Sequence, residues 1–153
     1  MKIIVCIKQV PFVDQLKFDS AAKRLIRDGV QSEINPFDKR AITQAVELKK
    51  QFGVAASSRD MIDSAGVRIT PRDDAAEVVV ITMGPPQAKD ALVEALALGA
   101  DRAVHLLGKE FAGADTLATA RALALTCKKI GYDLILCGKY STDAETAQVP
   151  PML

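Results

Sequence analysis

A chain of 153 residues with 49% hydrophobic and 25% charged residues has the composition of a globular domain, long enough to bury roughly 70% of its unfolded surface. Its 20 basic and 19 acidic residues leave a formal charge of +1, which excludes the electrostatic footprint of a nucleic-acid binder and a polybasic membrane patch. The longest apolar runs are strand-sized, far short of the ~20 residues that cross a bilayer, so no direct membrane insertion is expected.

Met1 is followed almost at once by Ile3-Ile4-Val5-Cys6-Ile7, without the charged and apolar regions of a secretory leader. Residues 2–8 read as a buried strand that ends at Lys8 and is broken by Pro11. Leu16-Lys17-Phe18 and Arg24-Leu25-Ile26, followed by the turn dipeptide Asp28-Gly29, predict a small hairpin or a pair of edge strands. Asn35 can cap a helix, and Pro36 suits its first position. Ala41, Ile42, Ala45, Val46 and Leu48 carry that helix over 37–51 at three-four spacing, with Gly53 as its stop.

Residues 54–76 hold Ser57-Ser58, Gly66, Pro71 and Asp73-Asp74 without a clear apolar period, and are expected to form an exposed insertion. Val78-Val79-Val80-Ile81-Thr82-Met83 is a β-branched strand. A helix over 87–98 places Ala88, Ala91, Leu92, Ala95 and Leu96 on one face and stops at Gly99. Residues 103–107 form a strand, 115–130 a helix ended by Gly131, and 133–137 a last buried strand. Strands alternating with helices predict one α/β domain over 1–153, Rossmann-like: a mostly parallel sheet flanked by helices on both faces.

Cys6, Cys127 and Cys137 are scattered and lack a C-x-x-C, so zinc and iron–sulfur ligation are not expected. They read as buried, reduced thiols in a reducing, cytoplasmic setting. His105 has no nucleophile motif beside it, and no catalytic residue or metal site is expected. Gly108-Lys109 lacks the upstream glycine of a P-loop, and no G-x-G-x-x-G follows the first strand.

Ligands of open parallel sheets bind beyond the carboxyl ends of the strands. Those ends here are Cys6-Ile7-Lys8, Met83-Gly84-Pro85, the segment from Phe111 to Thr119, and Gly138-Lys139-Tyr140-Ser141-Thr142-Asp143-Ala144-Glu145-Thr146-Ala147-Gln148-Val149. The helix start Asn35-Pro36-Phe37-Asp38 is a fifth candidate. In the last loop Gly138 permits close backbone approach, and Ser141, Thr142 and Thr146 offer hydroxyls. A helix starting near Asp143 would present free N–H groups to a phosphate. Asp143 and Glu145 would repel a bare phosphate; they could cap that helix or hold ribose hydroxyls. Lys8 could meet a phosphate or stand as an exposed strand-terminal lysine.

Several blocks resemble the electron-transfer flavoprotein beta subunit family. They are Lys2-Ile3-Ile4-Val5-Cys6-Ile7-Lys8-Gln9-Val10-Pro11, Asp28-Gly29-Val30, Ile34-Asn35-Pro36-Phe37-Asp38, and Val80 through Ala88. Glu94 through Arg102, Leu136-Cys137-Gly138-Lys139 and Asp143-Ala144-Glu145-Thr146-Ala147-Gln148-Val149 complete the set in the family's order. The resemblance implies a heterodimer with an alpha subunit that shuttles electrons from flavin dehydrogenases, such as an acyl-CoA dehydrogenase, to an acceptor. It implies an electron carrier, not an enzyme. One FAD would lie mainly on the alpha subunit, and the beta subunit would hold AMP or, in electron-bifurcating members, a second FAD.

Carried over residue by residue, the nucleotide contacts would be Cys6, Asn35 to Asp38, Met83 and Gly138 to Val149. Phe111-Ala112-Gly113-Ala114-Asp115-Thr116-Leu117-Ala118-Thr119 resembles a stretch of the bifurcating and anaerobe-type branch, which places Asp115, Thr116 and Thr119 near the beta-subunit flavin; Asp115 also suits an ordinary helix cap. Two departures stand out: the 54–76 insertion, and Tyr140-Ser141-Thr142 in the phosphate loop, which leaves AMP and FAD both open. Family members also run well past this length, so a truncation at Leu153 is expected. The competing expectation is a stand-alone adenine-nucleotide-binding module of the universal-stress-protein type, which shares the α/β plan.

Overall fold

Ile3, Ile4 and Val5 of β1 (Lys2–Cys6) and Val78, Val79, Val80 and Ile81 of β8 (Glu77–Met83) are all fully excluded from solvent in a computed structural model of the chain. The structure describes residues 1–12, 17–19, 24–26, 31–57, 61–62, 68–69 and 76–153, with side chains for 1–12, 31–52 and 76–153. Strands buried on both faces carry continuous apolar runs because a helix layer covers each side. These two strands are the centre of a four-stranded parallel sheet in the order β10-β1-β8-β9, where β9 is Arg102–Leu106 and β10 is Leu134–Cys137. Val5 stands opposite Val80 on one side and Leu136 on the other, and Val80 opposite Ala103.

Alternate side chains feed two cores. Ile3, Val5, Val78 and Val80 pack against Ile42 and Ala45 of α1 (Pro36–Ser57) and Ala91, Leu92 and Ala95 of α2 (Lys89–Ala97). Ile4, Cys6, Val79 and Ile81 pack against Leu123 and Cys127 of α3 (Thr116–Ile130). The chain fills the sheet outward from β1 through β8 to β9, then returns by α3 to lay β10 on the other side of β1. The reversal creates a crevice between the carboxyl ends of β1 and β10.

Smaller antiparallel pairs decorate this plan. β2 (Gln9–Pro11) pairs with β5 (Ser32–Ile34), and β3 (Lys17–Asp19) with β4 (Arg24–Ile26). The hairpin expected before Asn35 is therefore present, while Asp28-Gly29 lies outside the described residues. Within 54–76, β6 (Met61–Ile62) pairs with β7 (Arg68–Ile69). The remainder of that segment, Asp73-Asp74 included, lies outside the described residues, apart from the end of α1 and Ala76.

Two boundaries and one helix face differ from expectation. α1 runs through Gly53 to Ser57. One glycine costs a helix about 1 kcal/mol relative to alanine, and Val54-Ala55-Ala56 beyond it can sustain the turn. Leu96 is 40% exposed, so the buried face of α2 is narrower than its apolar sequence suggests. No α-helix begins at Asp143; residues 142–144 form a turn, and the short α4 (Val149–Met152) starts where Pro150 suits a first turn. Gly131 ends α3 with φ +75°, as its position predicts.

Candidate functional site

Gly138 follows β10 and meets the start of α1 at the crevice. A Cβ built on it would overlap the Asp38 carboxylate and approach the Phe37 backbone carbon and Cβ to 2.9 Å. The close approach that requires glycine is thus to α1, where the sequence had suggested a ligand. Asp38 is nearly buried and accepts a hydrogen bond from the Lys8 backbone N–H at 2.8 Å. Burial pushes its carboxyl up to about 6, against the pull of the Lys8, Asn35 and Gly138 donors.

Asn35, 1% exposed, joins the same three segments. Its backbone N–H donates to the Lys8 carbonyl at 2.9 Å, its side-chain amide donates to the Tyr140 carbonyl at 2.8 Å, and its side-chain carbonyl accepts from the Thr142 N–H at 3.3 Å. Its backbone carbonyl accepts from the Asp38 and Lys39 N–H groups at the first turn of α1. The expected cap therefore contributes its main chain to the helix, while its side chain fixes the loop after β10. Phe37 stacks at a tilt on Tyr140 with ring centroids 4.5 Å apart.

Lys8 is not a free cation. Its ammonium lies 2.7 and 2.8 Å from the two Asp143 carboxylate oxygens and 3.4 Å from Ser141 Oγ. Burial raises the Asp143 carboxyl, but the Lys8 ammonium outweighs it and holds the group below its usual range. Asp115 caps α3 by accepting from the Ala118 N–H at 2.7 Å. His105 Nε2 lies 3.0 Å from the Gly84 carbonyl and ties β9 to the turn after β8.

These segments enclose a cavity of about 350 Å³, at the lower end of the ~300–1,000 Å³ typical of small-molecule sites. Of the sequence-predicted residues, Cys6, Lys8, Asn35, Asp38, Met83, Asp115, Thr116, Thr119, Gly138, Tyr140, Ser141, Ala144, Thr146, Ala147, Gln148 and Val149 line it. Pro36, Phe37, Gly84, Lys139, Thr142, Asp143 and Glu145 do not line it and stand behind or beside its wall. Ile7 and Ala114 line it from within the marked strand-end segments, and Leu123, Cys137 and Pro150 from outside them. Leu123 and Cys137 read as plain core in the sequence, and only the sheet order shows that their layer opens into the crevice.

Glu145 and Ala147 adopt left-handed backbone, with φ 54° and 53°, a conformation that costs a non-glycine residue of order 1–3 kcal/mol. Left- and right-handed residues in succession turn their N–H groups toward one concave point, a nest suited to an anion. Ala147 and Gln148 form such a succession. Among the described residues, no acceptor meets the N–H groups of Thr146, Ala147 and Gln148. The amino end of α3 adds its positive dipole, and Thr116, Thr119 and Ser141 add hydroxyls. Of the nearby carboxylates, Asp38 is engaged by backbone N–H, Asp115 by its own helix and Asp143 by Lys8, while Glu145 is exposed and does not line the cavity. The donor set fits a phosphate ester with an apolar base or ring against Cys6, Met83 and Leu123. Among the described residues no group of three or more His, Cys, Asp or Glu is placed to hold a metal, and no helix is long and apolar enough to cross a membrane.

A three-layer α/β protein with a ligand-sized crevice at the switch point of its parallel sheet is the class this architecture defines. Comparison with known proteins makes it specific: the electron transfer flavoprotein domain matches residues 54–153, and the chain belongs to that family. The match takes in the 54–76 segment. The chain is 46% identical over 151 residues to the electron transfer flavoprotein subunit beta of Clostridium acetobutylicum, covering 99% of this chain and 50% of that protein. It is 42% identical over 156 residues to protein FixA of Azorhizobium caulinodans, covering 99% and 48%. It is 40% identical over 150 residues to the caffeyl-CoA reductase-Etf complex subunit CarD of Acetobacterium woodii, covering 97% and 49%. The chain spans about half the length of these curated relatives.

Proposed function

We propose that the chain is the nucleotide-binding part of an electron carrier of the electron-transfer flavoprotein beta type. It binds an adenine nucleotide, AMP or FAD, in the crevice between β1 and β10. One observation carries this reading: Asn35 ties the end of β1 and the start of α1 to the loop after β10, and the cavity they line takes in Thr146, Ala147 and Gln148, whose N–H groups meet no acceptor among the described residues. The residues hold the phosphates by main-chain donors at Thr146 to Gln148 and the amino end of α3, and they shield the base with Met83 and Leu123. A flavin bound there supplies redox chemistry, whereas AMP supplies none and serves as structural filling. The chain's own residues bind, orient and exclude water; none is assigned to proton transfer or bond making.

The partner in this reading is an alpha subunit that carries FAD and receives electrons from a flavin dehydrogenase. The likeness to CarD, a subunit of a caffeyl-CoA reductase-Etf complex, supports the assembly, and the likeness to the Clostridium protein supports the anaerobe-type branch. The family match and these relatives favour this reading over a stand-alone stress-protein module. The test is an absorbance spectrum and calorimetry of the chain, alone and made with its neighbouring gene product, against AMP and FAD. Saturable binding of either, with flavin bands in the co-purified complex, is expected. A chain that binds neither nucleotide and captures no partner overturns the proposal.

A further inference from the structure

The three cysteines, distant in sequence, meet in space. Cys6 ends β1 and Cys137 ends β10, and the two stand opposite each other in parallel register. Both belong to the core layer that faces α3, and both line the cavity. Cys127 of α3 lies behind them, fully buried, and does not line the cavity. All three are free thiols. Adjacent strands lie about 4.8 Å apart, inside the Cα separation of about 4.4–6.8 Å that a disulfide requires.

We propose that Cys6 and Cys137 are a peroxide-oxidisable pair, with Cys137 the thiol attacked first and Cys6 the resolving thiol. The proposal concerns the chain with its cavity free of ligand, since Cys6 and Cys137 both line that cavity. Accessibility sets the order: Cys137 is partly exposed, whereas Cys6 is buried to its rim. The neighbouring Cys127 and Cys137 thiols, with burial, raise the Cys6 thiol, while proximity to Cys6 lowers both Cys137 and Cys127; of these two only Cys137 lines the cavity. In the first step the Cys137 sulfur attacks one peroxide oxygen; an S–O bond forms, the O–O bond breaks, and hydroxide leaves as water after taking a proton. In the second, the Cys6 sulfur attacks the sulfenic sulfur; the S–S bond forms, the S–O bond breaks, and a second water leaves with the Cys6 proton. Two thiols and one hydrogen peroxide give one disulfide and two waters. The bond would staple β1 to β10 across the floor of the crevice.

The experiment is treatment of the chain with hydrogen peroxide, followed by alkylation, intact-mass measurement and non-reducing peptide mapping. The expected product has lost the mass of two hydrogens, retains one alkylatable thiol at Cys127, and yields a linked Cys6–Cys137 peptide. Cys6→Ser should stop at a sulfenic acid on Cys137 that a dimedone probe captures. Cys137→Ser should slow thiol loss at least about tenfold, and Cys127→Ala should leave the linkage unchanged. A Cys6–Cys127 linkage, disulfides only between chains, or three thiols that survive peroxide as slowly as in Cys137→Ser would each overturn the proposal.

Discussion

Lys8 Nζ lies 2.7 Å from Asp143 Oδ1, joining the end of β1 to the loop that follows β10. The side chain of Lys8 is 45% exposed, so the pair is screened and its loss should cost stability less than about 1 kcal/mol. Its larger effect is on charge in the crevice. Asp143→Asn removes a negative charge and releases the ammonium toward an incoming phosphate, so AMP should bind several-fold more tightly in calorimetry. Weaker binding would mean that Asp143 holds ligand hydroxyls directly.

Gly138→Ala should be destabilising by about 1–3 kcal/mol, the usual range for an inserted carbon that forces neighbours to move. The clash falls on Asp38 and Phe37, at the joint between β10 and α1. Urea denaturation reads the loss, and nucleotide affinity should fall with it. An alanine variant as stable as the parent would show that this joint has room to relax.

Asp38 should give the chain a pH dependence of unusual sign for a carboxylate. Its folded carboxyl is raised from 3.8 to about 6, so between those values the folded state holds a proton that the unfolded state has lost. Stability therefore falls as pH rises through this window, by up to about 3 kcal/mol from this group. Other carboxylates titrate too, so the measurement is the difference between parent and Asp38→Asn. The variant should gain relative stability from pH 4 toward 6, and an unchanged difference across that range would contradict the assignment.

Val80→Asp should prevent folding or cost more than about 4 kcal/mol, because it places an unpaired charge in the fully buried centre of the sheet. Far-ultraviolet circular dichroism and solubility report the outcome. A soluble variant with parental helix content would argue against the burial of β8.

The run from Val78 to Ile81 and the run from Ile3 to Val5 announce buried strands, because they are short, continuous and rich in β-branched residues. The alternation with helices then fixes a parallel sheet. The strand ends that the sequence marks do converge on one cavity, since every parallel strand points its carboxyl end the same way. What the sequence hides is long-range pairing. Nothing local marks Lys8 as the partner of Asp143, 135 residues away, or Gly138 as the seat of Asp38. The meeting of Cys6 with Cys137 depends on β10 returning beside β1, which no spacing encodes. Gly53 misleads because a single glycine is a weak breaker when helix formers follow it.

The most direct test of nucleotide binding at the crevice is an amide-resolved NMR titration of the isotope-labelled chain with AMP. Saturable shifts of the Ile7, Gly138, Thr146, Ala147 and Gln148 amides are expected, with β9 residues such as Ala103 unmoved. Absence of saturable shifts, or shifts confined to residues away from the carboxyl ends of β1 and β10, would contradict it.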